Sequence, residues 1–196
     1  MSARSVLLVG ASGLIGGHCL ARLVSCGKYE RITILVRKKI AGVDAKIDQL
    51  EVDFDQLDNR QPGASFDDVA ICLGTTIKKA GSQDAFRKVD HHYVVSSARW
   101  AFKANARRLA VVSSVGADLN SRNFYLRVKG EMERDVTAIG FNSVNIVRPG
   151  ILIGDRKESR PMEAMGMVAS RWIGGLMRGS MAKYRGISAS IVAAAM

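Results

Sequence analysis

Short apolar runs alternate along the chain with longer segments whose apolar residues recur at helical spacing. Six runs predict strands, at residues 5–9, 31–36, 47–54, 68–73, 109–113 and 143–147. Helical spacing predicts helices at residues 18–24, 83–104 and 124–138. Strands that alternate with helices in this way form parallel sheets covered on both sides. The pattern therefore predicts an α/β fold, a doubly wound parallel sheet with helices on both faces.

The remaining segments predict one domain with a small C-terminal region. A length of 196 residues suits a single domain with a full core. Residues 77–82 and 153–161 are polar or contain glycine and proline, which predicts loops. Residues 162–196 are rich in Met, Gly and Ala and predict one or two helices beside a pocket, so we assign residues 151–196 to a substrate or cap region. Residues 193–196 carry no helix stop signal, which leaves a truncated C-terminus open.

Composition narrows the protein class. Hydrophobic residues make up 47% and charged residues 24%, which is ordinary for a globular protein. We expect no membrane span, because no apolar run reaches the roughly 18 residues that a span requires, and residues 5–9 lack the flanks of a signal peptide. The three cysteines have no metal-site spacing: Cys19 and Cys26 fall on the first helix, and Cys72 falls on the fourth strand. We therefore expect reduced, buried thiols in a cytoplasmic protein.

The net charge of +11 raises the question of an acidic partner. Basic chains attract nucleic acids, membranes and phosphorylated ligands. The sequence shows no dense basic run, no recognition-helix motif and no aromatic stacking platform. We interpret most of the charge as solvated surface, with nucleic-acid binding as a minor alternative.

A glycine-rich segment directly follows the first predicted strand. Gly10, Gly13 and Gly16 form a G-x-x-G-x-x-G pattern that also contains Ser12, Leu14 and Ile15. In a strand–turn–helix unit, such glycines permit a tight turn, a close approach of pyrophosphate and close packing of helix on strand. The N-terminus of the helix offers free N–H groups and the positive end of its dipole. The segment predicts a dinucleotide phosphate site in a Rossmann-type sheet.

Residues at the ends of the next strands indicate which dinucleotide binds. An acidic residue after the second strand favours NAD, and a basic residue favours NADP. Here the strand ends in Arg37, Lys38 and Lys39, so we predict a preference for NADP(H) with NAD(H) still possible; the alternative is a basic surface loop. Asp53 could accept a hydrogen bond from the adenine amine or be an ordinary loop carboxylate. Gly74, Thr75 and Thr76 end the fourth strand and are predicted to line the cofactor.

Candidate chemistry follows the fifth strand. Ser113 and Ser114 close that strand, and the next helix opens with Tyr125 and Lys129, which lie one turn apart on the same face. A phenol with a pKa near ~10 needs a neighbouring cation to act as an acid or base at neutral pH. A serine hydroxyl could bind the substrate oxygen. Alone, the Tyr–Lys spacing is also expected on an ordinary exposed helix face.

Together these motifs resemble the short-chain dehydrogenase/reductase superfamily, particularly its atypical and extended members. The matching segments are residues 10–16, Ser113 and Ser114, Tyr125 with Lys129, and residues 148–150. Within the superfamily, residues 73–76, 113–118, 125–131 and 148–152 resemble the Tat-interacting protein group of oxidoreductase-like proteins and its bacterial relatives. The resemblance covers nearly the whole chain.

The resemblance implies a role for each matching residue. Tyr125 is the expected general acid and base, and Lys129 is expected to hold the nicotinamide ribose and to tune Tyr125. Ser113 fits the S-x-x-G pattern of the superfamily and is expected to orient the substrate in preference to Ser114, since neighbouring strand residues face opposite sides. Pro149 and Gly150 are expected beside the nicotinamide.

The sequence also departs from the superfamily pattern. The usual active-site asparagine of the long helix is missing, and Asp90 and His91 fall in its region. The C-terminal substrate region is short. His91 and His92 are predicted to be a helix-surface pair with no metal, because adjacent helical residues face different directions.

Three functions remain in competition. The first is an NADP(H)-dependent oxidoreductase that reduces or oxidises a small carbonyl or alcohol through Ser113, Tyr125 and Lys129. The alternative is a non-catalytic NADPH sensor that acts through a protein partner. Epimerase or dehydratase chemistry on a nucleotide sugar is weaker, because it usually needs a larger C-terminal lobe. We expect a monomer or a homodimer.

Overall fold

The computed structural model describes residues 4–153 and 186–196, and its centre is a six-stranded parallel sheet. The strands are β1 (Ser5–Val9), β2 (Arg31–Val36), β3 (Ile47–Glu51), β4 (Asp68–Ile71), β5 (Arg108–Val112) and β6 (Ser143–Val147). Their order across the sheet is β3-β2-β1-β4-β5-β6. This is the strand order of a Rossmann fold, and it confirms the predicted fold class.

The strand order reverses between β1 and β4, which pair directly. Leu7 lies opposite Val69, and Val9 lies opposite Ile71. In doubly wound sheets, ligands bind outside the carboxyl ends of the strands at this reversal. The loops that follow Val9 and Ile71 therefore border the expected ligand crevice.

Helices cover both faces of the sheet. On one face lie α1 (Leu14–Ser25) and the C-terminal helix α6 (Ala189–Ala195), whose apolar residues pack with Leu8 and Ile34 of the sheet. On the other face lie α4 (Tyr93–Lys103) and α5 (Phe124–Thr137), which pack with Leu7 and Val111. Each strand thus alternates its side chains between two cores, which explains the nearly continuous apolar runs of the sequence.

The third predicted strand and the long predicted helix differ from the structure. The third strand ends at Glu51, and residues Phe54–Asn59 form a 3₁₀ helix. The Asp53 carboxylate caps this helix by accepting a hydrogen bond from the N–H of Asp55 (2.9 Å), so the chain leaves the sheet before residue 54. The long helix predicted at 83–104 consists of α3 (Gln83–Arg87), a π-helical turn (Lys88–His92) and α4. A π turn inserts an extra residue into the helix and often marks a functional position.

The connecting segments contain further short elements. The predicted loop 77–82 was wrong in part, because Ile77–Ala80 form the short helix α2, whose N-terminus is capped by Thr76. Strands β7 (Leu152–Ile153) and β8 (Ile187–Ser188) pair in a separate two-stranded sheet. Most of the predicted loop 153–161 and of the region 162–196 lies outside the described residues. Within the described ranges, no helix is long and apolar enough to cross a membrane.

The cysteines only partly follow the prediction of buried thiols. Cys19 is buried on α1, but Cys26 is exposed because it lies at the C-terminal end of that helix. Cys72 follows β4 and is only partly buried as a whole residue. All three are free thiols.

Candidate functional site

The loop between β1 and α1 takes a shape that only glycine permits at its first position. Gly10 has a φ of +89°, and a Cβ there would lie 2.8 Å from the carbonyl carbon and oxygen of Cys72. The first glycine thus allows the loop to turn directly over the end of β4. A side chain would collide with backbone atoms and force the two strand ends apart.

The other two glycines bring the helix close to the loop. A Cβ on Gly16 would lie 2.0 Å from the carbonyl oxygen of Gly10, so α1 can contact the loop only without a side chain there. Gly13 is the N-cap of α1, and no side chain caps the helix. The first-turn N–H groups of a helix have no partners within the helix. The loop and helix end therefore form a backbone cradle that fits a pyrophosphate group.

The remaining residues of the predicted phosphate segment lie around this cradle. Ser12 is exposed at its rim, Leu14 is half-buried at the start of α1, and Ile15 is buried in the core between α1 and the sheet. Ile15 therefore anchors the helix while the backbone of the first turn remains at the crevice. These placements agree with a loop whose backbone, not its side chains, faces a ligand.

Beside the backbone cradle, a cavity of about 420 Å³ opens at the ends of β2 and β3. Its walls include Arg37, Asp53, Arg60 and Tyr93. Lys38 is exposed beside Arg37. Arg60 was not predicted from the sequence; its guanidinium donates to the carbonyl oxygen of Glu51 (3.2 Å), which fixes a second cation at the cavity. One oxygen of Asp53 caps the 3₁₀ helix by accepting a hydrogen bond from the N–H of Asp55, and the residue also lines the cavity.

The end of β4 meets a buried ion pair. The ammonium of Lys129 lies 2.7 Å from Oδ1 of Asp90, and the two side chains are 4% and 1% exposed. Oδ2 of Asp90 accepts a hydrogen bond from the N–H of Thr75 (2.7 Å), and a Cβ on Gly74 would lie 3.5 Å from the same carboxylate. Burial raises the pKa of the Asp90 carboxyl, against the opposing attraction of Lys129 and the Thr75 N–H. Asp90 therefore ties the strand end to α5.

In the sequence, Asp90 is distinguished only by its place in the region of the missing asparagine. Asp90 lies on the π-helical turn between α3 and α4. Its position 39 residues before Lys129 gives no local signal of a contact. The pairing was missed because only the packing of α5 against the π turn brings these charges together.

The two serines after β5 have different surroundings. Ser113 is 4% exposed, and its hydroxyl has no hydrogen-bond partner among the described residues. Its N–H donates to the carbonyl oxygen of Val147 (2.8 Å), so it continues the sheet. By strand alternation, Ser113 faces the same side as Val111, toward α4 and α5. The hydroxyl of Ser114 donates to the carbonyl oxygen of Val115 (3.3 Å).

Tyr125 is the second residue of α5. It is half-buried, and its ring lies 5.4 Å from the ring of Phe86 on α3. The four-residue spacing places Tyr125 and Lys129 on one face of α5. Pro149 is buried and its carbonyl accepts from the N–H of Val115 (2.9 Å), while Gly150 is half-buried next to it. The segments after β5 and β6 are thus joined at the carboxyl edge of the sheet.

The histidine pair lies away from this edge. Nε2 of His91 lies 2.7 Å from Oδ2 of Asp135 on α5, and His92 is exposed. Among the described residues, no group of three metal-binding side chains is found.

Comparison with known proteins identifies the family to which this architecture belongs. A family model described as NAD(P)H-binding matches residues 10–174. The chain belongs to this NAD(P)H-binding family. The matched residues begin at Gly10, so the glycine loop and the ion pair at Lys129 both lie within the family domain.

Relatives and solved structures agree with this assignment. Protein HTATIP2 of Rattus norvegicus is 38% identical over 167 residues, which cover 83% of this chain and 69% of that protein. Protein fmp52, mitochondrial, of Aspergillus clavatus is 37% identical over 180 residues, which cover 87% of this chain and 74% of that protein. The structure of MoeE5 in complex with UDP-glucose and NAD has a TM-score of 0.63 at 16% identity, covering 81% of this chain and 57% of MoeE5.

These matches confirm the resemblance to the short-chain dehydrogenase/reductase superfamily that the motifs predicted. The domain is an NAD(P)-binding domain with the fold of the oxidoreductases in that superfamily. The chain covers 57% of MoeE5, which is less than two thirds of its length, and at 16% identity the similarity to MoeE5 shows the fold alone.

Proposed function

We propose that this protein is an NADP(H)-dependent oxidoreductase that acts on a small carbonyl or alcohol. The observation that carries the proposal is the buried, unpartnered hydroxyl of Ser113 on the face of the sheet toward α5, which also carries Tyr125 and Lys129. A buried hydroxyl without a partner costs free energy, about 1–3 kcal/mol, so such groups often have a ligand to bind.

The cradle supports the binding part of the proposal. The N–H groups at Leu14 and Ile15 would hold the pyrophosphate at the start of α1, while the Gly13 N–H closes the loop by donating to the carbonyl oxygen of Gly10 (2.9 Å). Thr75 and Gly74 border the crevice at the end of β4, and the bound nicotinamide supplies or accepts a hydride.

Further residues would hold the nicotinamide end of the cofactor. Lys129 would donate to the nicotinamide ribose, and Pro149 and Gly150 would border the ring. Pro149 is suited to a fixed wall because it is buried and its carbonyl is already bonded to the Val115 N–H.

The protein residues would handle the proton and the substrate oxygen. The hydroxyl of Ser113 would donate a hydrogen bond to that oxygen and fix its position. The hydroxyl of Tyr125 would give its proton to the oxygen during reduction and take one back during oxidation. Lys129, held by Asp90, would stabilise the phenolate that this transfer creates.

Two cations support a preference for NADP(H) over NAD(H). Arg37 and Arg60 both line the 420 Å³ cavity at the ends of β2 and β3, where a 2′-phosphate would lie. Arg37→Ala should weaken NADP⁺ binding by about tenfold or more, because it removes one charge-assisted hydrogen bond worth ~1.5–3 kcal/mol. The same variant should leave the affinity for NAD⁺ within about twofold, since NAD⁺ carries no 2′-phosphate. Lys46→Ala, on an exposed lysine outside the cavity lining, serves as the matched control. Equal losses for both nucleotides would remove the basis of the preference.

A panel of small aldehydes and ketones, followed through NADPH absorbance, tests the chemistry. Tyr125→Phe should lower kcat by about 10² to 10⁴, the range of a positioned general acid, while nucleotide affinity stays unchanged. Ser113→Ala should also lower kcat, whereas Ser114→Ala is the matched control and should retain most activity. Turnover that is unaffected by Tyr125→Phe would contradict the proposed mechanism.

The second candidate is a non-catalytic NADPH sensor that acts through a protein partner. It is favoured by the direct Asp90–Lys129 pair, because an ammonium already neutralised by a carboxylate stabilises a neighbouring phenolate less. This candidate predicts tight NADPH binding without turnover on any carbonyl of the panel. A partner must then distinguish the nucleotide-bound from the nucleotide-free protein, since a ligand shifts only what it binds differentially. For either function we propose that the protein is cytoplasmic and either monomeric or homodimeric. The name of the fmp52 relative places that protein in mitochondria.

A further inference from the structure

Two of the three thiols meet beneath the glycine loop. Sγ of Cys72, directly after β4, lies 3.7 Å from Sγ of Cys19 on α1. The residues are 53 positions apart, so the contact is produced by the packing of α1 on the sheet. A disulfide has an S–S distance of about 2.05 Å, so the sulfurs need to approach by roughly 1.7 Å before the bond can form.

The surroundings of the pair favour thiol chemistry. The hydrogen bond from Cys72 lowers the pKa of the Cys19 thiol. The same contact and burial raise the pKa of Cys72. Cys19 is therefore the thiol of the pair that ionises more readily, and the thiolate is the nucleophile in oxidation. Cys26, which is exposed at the end of α1, is not part of the pair.

We propose that Cys19 and Cys72 form an oxidisable dithiol whose conversion to a disulfide by a hydroperoxide weakens nucleotide binding. In the first step, one thiolate attacks the peroxide oxygen and becomes a sulfenic acid, and the peroxide leaves as an alcohol or water. In the second step, the other thiol attacks the sulfenic sulfur, the S–S bond forms, and water leaves. The two thiols lose two electrons and two protons, and the peroxide is reduced.

The position of the pair links it to the nucleotide cradle. The carbonyl group of Cys72 borders Gly10, and Cys19 lies one helical turn beyond Gly16. Closing the S–S distance draws α1 toward the end of β4. The packing at Gly10 and Gly16 leaves little space to absorb this movement, because a Cβ added at either glycine would lie 2.8 Å or 2.0 Å from backbone atoms. The disulfide should therefore distort the N-terminus of α1, where the cradle binds phosphate.

Intact-mass analysis tests the covalent half in a Cys26→Ser background, which prevents disulfides between molecules. After hydrogen peroxide and alkylation under denaturing conditions, the reduced protein should carry two alkyl groups and the oxidised protein none. Peptide mapping should show Cys19 linked to Cys72. Persistence of both alkylation sites, or stepwise addition of oxygen to one cysteine without a link, would overturn the proposal. Because this assay needs no nucleotide, its outcome is independent of the proposed function.

Calorimetric titration with NADP⁺ tests the coupling half, which rests on the proposed function. The disulfide form should bind at least about fivefold more weakly than the reduced form, the lower limit of typical site coupling, and a thiol reductant should restore the affinity. Cys72→Ser and, separately, Cys19→Ala remove the link, so peroxide should leave their affinities within about twofold of the untreated protein. Equal affinities of the linked and reduced forms would overturn the coupling. If the reduced protein binds no nucleotide, the proposed function fails while the disulfide result stands.

Discussion

Removing one charge of the buried Asp90–Lys129 pair should destabilise the fold strongly. The ammonium and the carboxylate lie 2.7 Å apart with 4% and 1% of their side chains exposed, so neither can be solvated alone. Asp90→Asn retains a group that can accept from the Thr75 N–H but leaves Lys129 unpaired. We expect a loss of about 3–5 kcal/mol, typical of breaking a buried pair from one side. That is a large part of the ~5–15 kcal/mol by which domains are stable.

A double-mutant cycle separates the pair from its surroundings. Asp90→Asn combined with Lys129→Met removes both charges, and its loss of stability should be well below the sum of the single losses, by about 2 kcal/mol or more. Asp55→Asn is the control, since the Asp55–Lys88 pair has the same 2.7 Å distance but both side chains are about half exposed. Its effect on stability should be small, because solvent and salt screen an exposed ion pair.

Urea unfolding at neutral pH provides the measurement, with m-values compared to ensure that the unfolding transitions are equivalent. A loss below about 1 kcal/mol for Asp90→Asn, or losses that simply add in the double variant, would refute the view that the pair is a desolvated unit.

The pH dependence of the pair has a defined sign. Burial raises the pKa of Asp90 in the folded protein, and Lys129 opposes this rise. In Lys129→Met the opposition disappears, so the folded state binds this proton more tightly than the unfolded state. The stability of that variant should therefore fall as pH rises above the unfolded pKa of about 4, until the raised folded pKa is passed. A variant whose stability is flat across that interval would contradict the assignment of burial as the dominant cause.

Two further predictions concern the glycine loop and the acid limit of stability. Gly16→Ala places a Cβ at 2.0 Å from the Gly10 carbonyl oxygen and should abolish nucleotide binding in calorimetry. Gly17→Ala is the control and should bind nucleotide normally, because the nearest neighbour of its Cβ would lie 3.7 Å away. Equal nucleotide binding by both variants would contradict the proposed cradle. The pKa of Asp67 is lowered by hydrogen bonds from the N–H and hydroxyl of Ser5, so its stabilising effect exists above pH ~4 and is lost as pH falls through the lowered pKa. Ser5→Ala should raise that pKa part of the way to its ordinary value in an NMR titration, and an unchanged Asp67 pKa would contradict this cause.

The centre of the sheet could be predicted from the sequence because β1, β2, β4 and β5 are buried on both faces over most of their length and appear as short apolar runs. The glycine loop could be predicted because its geometry is local: Gly16 and Gly10, which lie in close contact, are only six positions apart in the chain. The same holds for the Tyr125–Lys129 spacing, which follows from helix geometry alone. Their catalytic roles stay predictions.

Contacts between distant segments could not be predicted in this way. Asp90 meets Lys129 only because a π turn and α5 pack together, and neither residue type nor spacing signals the pair. Arg60 reaches the cavity beside Arg37 only because the 3₁₀ helix turns the chain back over β3, after Asp53 caps it. The predicted third strand was too long for the same reason, since its apolar pattern continues through residues that the cap converts into a turn.

Calorimetric titration with NADPH and NADH in parallel is the most direct test of the central claim, that the backbone cradle at Gly10–Gly16 and the cations beside β2 bind a phosphorylated dinucleotide. The account predicts binding of NADPH that is tighter than that of NADH and that weakens by about tenfold or more in Arg37→Ala. Binding of neither nucleotide by the folded protein would contradict the account.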